Sequence, residues 1–307
     1  MKFIVIIITG MILLSGCTNE SEARVRINDL ESALSSNAYI IEVERIVQFE
    51  SFLSDSYIYD SVVVFRIRYK SDGYEVMGYV GAPYDYLNNT YPILIYNRGG
   101  HFYFGVQTPE VIGFLASRGY IVLGSQYRGI AGGTGVDQFG GNEIEDILTL
   151  ICISESFGFV EPENIFMAGA SRGGMMTYIA LRHDDRIRAA AVWAAISNSF
   201  ELFDTRASMQ SVYISLVGGS PNELPEEYER RSAMLWAYEI NTPILIGHGT
   251  NDWRIPYSQS VNMSEALAHH GNIYKLLLYP DVGHDIIIPF LYEMDSWFAQ
   301  HMVVTYY

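Results

Sequence analysis

From residue 92 onward the chain alternates short, mainly apolar runs with stretches of helical periodicity, and no other feature of the sequence restricts the fold as much. Runs at 92–96, 120–124, 164–168, 187–196, 242–247 and 273–278 read as strands. Helical stretches fall at 109–118, 142–156, 173–182, 257–270 and 289–301. A continuous apolar run fits a strand covered on both faces, and strand–helix alternation of this length implies a mostly parallel, doubly wound α/β sheet. Residues 197–241 break the rhythm with polar, helical material and are predicted to form a small cap-like insertion. Upstream, residues 61–69 and 74–81 alternate about Lys70-Ser71-Asp72-Gly73. Asp-Gly between alternating runs predicts an antiparallel hairpin.

The chain opens with a different pattern. Lys2 precedes an apolar run over residues 3–14, too short for a comfortable membrane span but right for the apolar region of a signal peptide. The run ends in Leu14-Ser15-Gly16-Cys17, which resembles the processing site of bacterial lipoproteins. That resemblance implies removal of residues 1–16, lipid on Cys17, and an extracytoplasmic chain anchored on the periplasmic or cell-surface side. Residues 17–40 then read as a tether with a short helix around 26–34, and residues 41–307 as a single α/β domain. Lys and Arg number 19 against 35 Asp and Glu, a net charge of −16. This argues against a nucleic-acid partner, whose phosphates need cations to neutralise them. Two cysteines exclude a disulfide scaffold and a cysteine metal site. Cys152, inside an apolar stretch, reads as a buried, inert thiol.

The chemistry gathers at Gly169-Ala170-Ser171-Arg172-Gly173-Gly174, after a predicted strand and opening a predicted helix. A serine on such a turn needs small neighbours so that its Oγ stands clear of the sheet. A nucleophilic serine also needs a base and a carboxylate to orient that base, in the order Ser, acid, His. Of the histidines that follow, His269, His270 and His301 fall in predicted helices. His284 lies in a loop directly after a strand, where open α/β sheets collect functional residues, and is the expected base. Asp252, also in a loop after a strand, is the expected acid, with Asp281 and Asp285 as alternatives.

These segments together resemble the prolyl oligopeptidase family of serine peptidases, in the α/β-hydrolase superfamily. The matching residues are Gln126-Tyr127-Arg128-Gly129, Gly132-Gly133-Thr134-Gly135, Gly169 to Gly174, Thr242 to Gly249 running into Asp252, Ile255-Pro256 and Gly283-His284. The resemblance implies an α/β-hydrolase fold and cleavage of a small peptide, amide or ester through an acyl-enzyme. It also implies an oxyanion hole built from the Arg172 N–H and the Tyr127 hydroxyl, with the Gly99-Gly100 amides as the alternative second donor. Two departures stand out: Asn97-Arg98-Gly99-Gly100-His101 replaces the usual His-Gly-Gly, and an arginine follows the serine. The stretch 18–90 is too short for the β-propeller of the family's best-known members, so substrate choice is expected to rest on the cap and the sheet-edge loops. No metal motif or dinucleotide glycine pattern is present, so neither metal nor organic cofactor is expected. A carboxylesterase of the same fold is the alternative activity, and a catalytically silent binding lipoprotein is the rival from another class.

Overall fold

The computed structural model describes residues 29–47, 61–86 and 89–304. Among the described residues nine strands form one sheet in the order β1-β2-β3-β5-β4-β6-β7-β8-β9. Strands β1 (Ile40–Ile46), β2 (Val62–Ser71) and β3 (Tyr74–Pro83) run antiparallel to their neighbours, and β3 joins β5 (Ile121–Ser125) antiparallel. From β5 the sheet is parallel through β4 (Tyr91–Asn97), β6 (Val160–Ala170), β7 (Ile187–Trp193), β8 (Ile244–Gly249) and β9 (Tyr274–Tyr279). The expected hairpin is the β2–β3 pair. Asp72 and Gly73 both take positive φ, 47° and 79°, the two-residue geometry that matches strand twist.

Helices cover both faces. On one side lie α2 (Pro109–Ala116) and the terminal helix α9 (Ile288–His301), packed through Ile112, Leu115, Phe290, Met294 and Phe298. On the other lie α1 (Leu30–Ser36), α3 (Ile144–Ser154), α4 (Arg172–Leu181) and α8 (Ser258–His269). The cap-like segment between β7 and β8 contains α5 (Ser199–Thr205), α6 (Ala207–Val217), α7 (Pro225–Arg230) and two single 3₁₀ turns.

Two expectations need correction. Residues 29–40 are not tether. Leu30, Ala33 and Leu34 are buried against the α3 side of the sheet. Asp29 caps that helix by accepting from the Ser32 N–H at 3.0 Å, and the Tyr86 hydroxyl, 3.1 Å from Asp29, fastens the cap to the domain. Cys152 is half-buried rather than buried, and its sulfur is not a free thiol. Cys17 and the signal segment lie outside the described residues.

The α9 face is closed by Phe298, fully buried and stacked on Phe166 of β6 at 4.5 Å between ring centres. Deleting a buried phenyl loses its transfer energy and leaves a cavity. Phe298→Ala should therefore cost about 3–5 kcal/mol, read as a lowered urea midpoint with an unchanged slope.

Candidate active site

β6 ends at Ala170 and α4 begins at Arg172, so Ser171 alone makes the turn. It does so at φ 56°, ψ −122°, a conformation that a non-glycine residue holds only where its surroundings impose it. The surroundings are backbone. A Cβ on Gly173 would lie 2.0 Å from the Asn97 carbonyl oxygen, and one on Gly169 would lie 2.3 Å from that of Gly173. Only glycine lets β4, β6 and α4 converge this closely. The Ser171 N–H donates to the Trp193 carbonyl at 2.9 Å, which ties the turn to β7.

Ser171 and His284 line one cavity of about 620 Å³ at the carboxyl edge of the parallel strands. His284 Nδ1 lies 2.7 Å from Asp252 Oδ2, so Asp252, not Asp281 or Asp285, is the carboxylate paired with the ring. With Nδ1–H donating to Asp252, Nε2 is left as the proton acceptor. The Trp193 indole N–H donates to the His284 carbonyl at 2.7 Å and holds the histidine loop to the sheet. The other oxygen of Asp252 accepts the backbone N–H groups of Arg254 and Ile255.

A second histidine, which motif reading did not single out for a role, faces the same carboxylate. His248 Nε2 is 3.0 Å from the Ile255 carbonyl and 3.2 Å from Asp252 Oδ2. Both are acceptors, so Nε2 carries the proton, and Nδ1 accepts the Ser260 hydroxyl at 2.7 Å. Burial pushes the Asp252 carboxyl up, but the hydrogen bonds from His248 and His284 outweigh it and hold the group well below the usual carboxylate range. Asp252 thus stays ionised across any working pH.

The arginine after the serine turns away from the cavity mouth into the protein. Arg172 is buried beneath the Gly99-Gly100 loop, donating to Asp137 at 2.8 Å, to Glu143 at 2.8 Å and to the Gly100 carbonyl at 3.3 Å. Burial alone would lower its affinity for a proton, and the two carboxylates reverse that. Arg98, also buried, donates only to carbonyls: Gln126, Phe102, Phe104 and Gly99. Burial and the neighbouring Arg172 pull its pKa down to about 10. Asp137, Glu143 and the role of Arg98 were not legible in the motifs.

Tyr127 is not placed as expected. Its φ is +64°, which folds the ring beneath the glycine loop between the guanidinium groups of Arg98 (5.2 Å) and Arg172 (4.6 Å). The hydroxyl is fully buried and donates to the Arg98 carbonyl at 3.0 Å, so it is spent inside the protein. The correction carries information about the loop. Tyr127 holds the Arg98 carbonyl, Arg98 that of Gly99, and Arg172 that of Gly100. A trans peptide points its N–H opposite to its carbonyl. The Gly99, Gly100 and His101 N–H groups are therefore aimed away from these three side chains. Gly99 itself packs against the elbow, where an added Cβ would meet the Ala170 carbonyl oxygen at 3.0 Å.

With this geometry in hand, comparison with known proteins is direct. The model of the prolyl oligopeptidase family matches residues 107–303, well over half of the chain. The chain belongs to the prolyl oligopeptidase family. The expected family and enzyme class, a serine hydrolase, follow from that membership. The uncharacterized peptidase YtmA of Bacillus subtilis is 29% identical over 207 residues, covering 67% of this chain and 80% of YtmA. Among solved structures, the acylaminoacyl peptidase of Pyrococcus horikoshii superposes with a TM-score of 0.64 at 23% identity, over 73% of this chain but only 38% of its own. The acetyl xylan esterase from Paenibacillus sp. R4 superposes with the same TM-score at 18% identity, covering 89% of this chain and 92% of its own. These structural likenesses establish the α/β-hydrolase fold that the strand–helix rhythm and the motifs predict.

Because its hydroxyl is committed to the Arg98 carbonyl, Tyr127→Phe should keep kcat within about tenfold of wild type, against the ~10²–10³ loss of a direct oxyanion donor. Stability should fall by about 1 kcal/mol for the lost buried hydrogen bond. Turnover of p-nitrophenyl acetate and a urea titration read the two effects separately.

Proposed function

We propose that the chain cleaves a small peptide, amide or ester through an acyl-enzyme, with Ser171 as nucleophile, His284 as general base and Asp252 as orienting acid. The reading rests on one observation: His284, held through Nδ1 by Asp252 at 2.7 Å, shares a cavity wall with a serine on a strained strand-to-helix turn. In the first half-reaction Ser171 Oγ attacks the carbonyl carbon while His284 Nε2 takes its proton. The charge that builds on the substrate oxygen meets the Arg172 N–H, which opens α4 and has no partner a turn before it within the helix. The Gly99 and Gly100 N–H groups complete the hole. Collapse of the tetrahedral species expels the leaving group, which takes the proton from His284. Water then repeats the sequence on the acyl-enzyme.

The same triad opens amides and esters, so the site chemistry does not choose between them. Family membership favours the peptidase reading over the carboxylesterase. A panel of p-nitrophenyl acyl esters beside aminoacyl and peptidyl nitroanilides decides it by comparing kcat/KM. A fluorophosphonate probe should label wild type and leave Ser171→Ala unlabelled. Asp252→Ala should lower kcat by ~10³-fold or more, with little further loss when combined with His284→Ala, because the residues act as a unit. Near-normal turnover of Asp252→Ala would return the orienting role to Asp281 or Asp285, and a wild-type protein inert to the probe would favour the silent binding lipoprotein.

The lipid anchor at Cys17 is proposed alongside, supported by Leu14-Ser15-Gly16-Cys17 after the apolar run. Among the described residues no helix is long and apolar enough to cross a membrane, so such a lipid would be the attachment of that part of the chain. Radioactive palmitate should label wild type and not Cys17→Ser. Labelling that survives the substitution, or a Cys17 sulfur found joined to Cys152, overturns the anchor.

A further inference from the structure

The cavity that holds Ser171 and His284 does not end at the triad. It continues on the face of the sheet turned away from the cap, between Val111 and Leu115 of α2 and Leu291 and Met294 of α9. The proposed chemistry uses none of these side chains. The sequence of β6 shows how the space arises. Alternate residues of a strand share a face, and on this face β6 presents Phe166, then Ala168, then Ala170 as it runs to its carboxyl edge. Phe166 fills its layer between the helices by stacking on Phe298 at 4.5 Å. The two alanines leave the next layer open, and Ala191 of β7 does the same beside them. Ser171 follows Ala170 directly, so this floor of alanines leads up to the serine.

Interiors ordinarily close such gaps, because a void forfeits the dispersion contacts of the atoms around it. The chemistry of the walls says what would restore those contacts. Among the side chains that β4, β6, β7, α2 and α9 contribute to the cavity none is ionised, and two carry a polar atom, Tyr96 and Trp193. The Trp193 indole N–H is committed to the His284 carbonyl at 2.7 Å. Burial pushes the Tyr96 hydroxyl up to about 12, so it stays neutral. Gln107, which also lines the cavity, donates through Nε2 to the Tyr96 carbonyl, and its Oε1 is buried against Gly124. A charged or strongly polar group entering here would lose its water with little to replace it. A run of methylenes would lose nothing and would meet apolar carbon on both helices and on the floor.

We propose that this compartment between α2 and α9 receives an unbranched alkyl chain of the substrate, so that the site acts on esters or amides that carry such a chain. The inference rests on the hydrolase reading above for its location and names the substrate class of that site. The chain is carried either on the acyl side of the scissile bond or on the leaving group, and the walls serve both alike. Each methylene moved from water into the compartment should strengthen binding about fourfold, the equivalent of ~0.8 kcal/mol.

The test reads binding on the full-length Ser171→Ala protein, so it does not depend on turnover. Butanamide, hexanamide and octanamide are compared by calorimetry, and affinity should rise about fourfold per added methylene. Val111→Trp and Leu291→Trp, which fill the compartment from α2 and from α9, should each hold octanamide to within threefold of butanamide. Met209→Trp, which fills the cavity from the cap instead, should keep the full rise. Thermal melting verifies that each variant folds. Octanamide within threefold of butanamide on the parent protein, undetectable binding of octanamide, or a rise that survives both helix variants overturns the proposal. Two ester series on the wild-type enzyme then locate the chain: p-nitrophenyl butyrate to octanoate lengthens the acyl side, and butyl to octyl acetate lengthens the leaving group. kcat/KM should climb in one of them, which identifies the side, and a flat response in both from an active enzyme overturns the proposal. Fluorophosphonate labelling is scored separately: a wild-type protein inert to the probe sinks the hydrolase reading, while octanamide binding still decides the compartment.

Discussion

Everything at the site depends on how closely three backbones approach one another where β4, β6 and α4 meet. The Asn97 carbonyl oxygen lies where the Cβ of any larger residue at position 173 would have to be. That contact sets the height of the elbow over the sheet. It also brings the loop after β4 against the serine, so Ser171 and the Gly99-Gly100 amides are positioned by one close packing. The left-handed φ of Ser171 is the cost of this geometry, and the ladder to β7 through the Trp193 carbonyl helps to maintain it.

Beneath the loop, the chain buries charge where a protein interior is ordinarily packed carbon. Arg172 with Asp137 and Glu143, and Arg98 on four carbonyls, remove several charged groups from water. Such clusters seldom stabilise a fold more than an apolar replacement would. What they supply is direction. Two guanidinium groups and the Tyr127 hydroxyl in fixed orientation hold three successive carbonyls on one side of the loop, and peptide planarity then turns the amides to the other. The arginine that departs from the family pattern after the serine and the arginine that stands before Gly99-Gly100 thus act as a pair, joined through the Tyr127 ring between them.

Much of this was legible in the residues. Asp72-Gly73 marked the hairpin because only turn residues accept two consecutive positive φ angles, and the glycines about Ser171 marked the elbow because nothing larger fits there. Asp252 and His284 were found from their places in loops after strands. Local signals failed where the third dimension decides. β1 lies at the sheet edge with burial that recurs every third residue instead of alternating, so it carries no strand signature. The short helix expected around 26–34 is present as α1, but its three buried side chains sit in a polar stretch that reads as tether. Tyr127 was correctly placed at a strand end but given the wrong direction, since a positive φ at a tyrosine leaves no trace in the sequence. His248, Asp137 and Glu143 take their meaning from partners, several of them far along the chain, which no motif spacing reveals.

The site draws on segments near residues 98, 127, 137, 143, 171, 252 and 284, contributed by successive parts of the whole α/β sheet. Ser171 follows β6 and His284 follows β9, the edge strand, so the two are brought together only across β6, β7, β8 and β9. The meeting of Ser171 and His284 is therefore a property of the assembled sheet rather than of any one of its βα units. On the proposed reading, a nascent chain that ends before β9 holds the serine without its histidine.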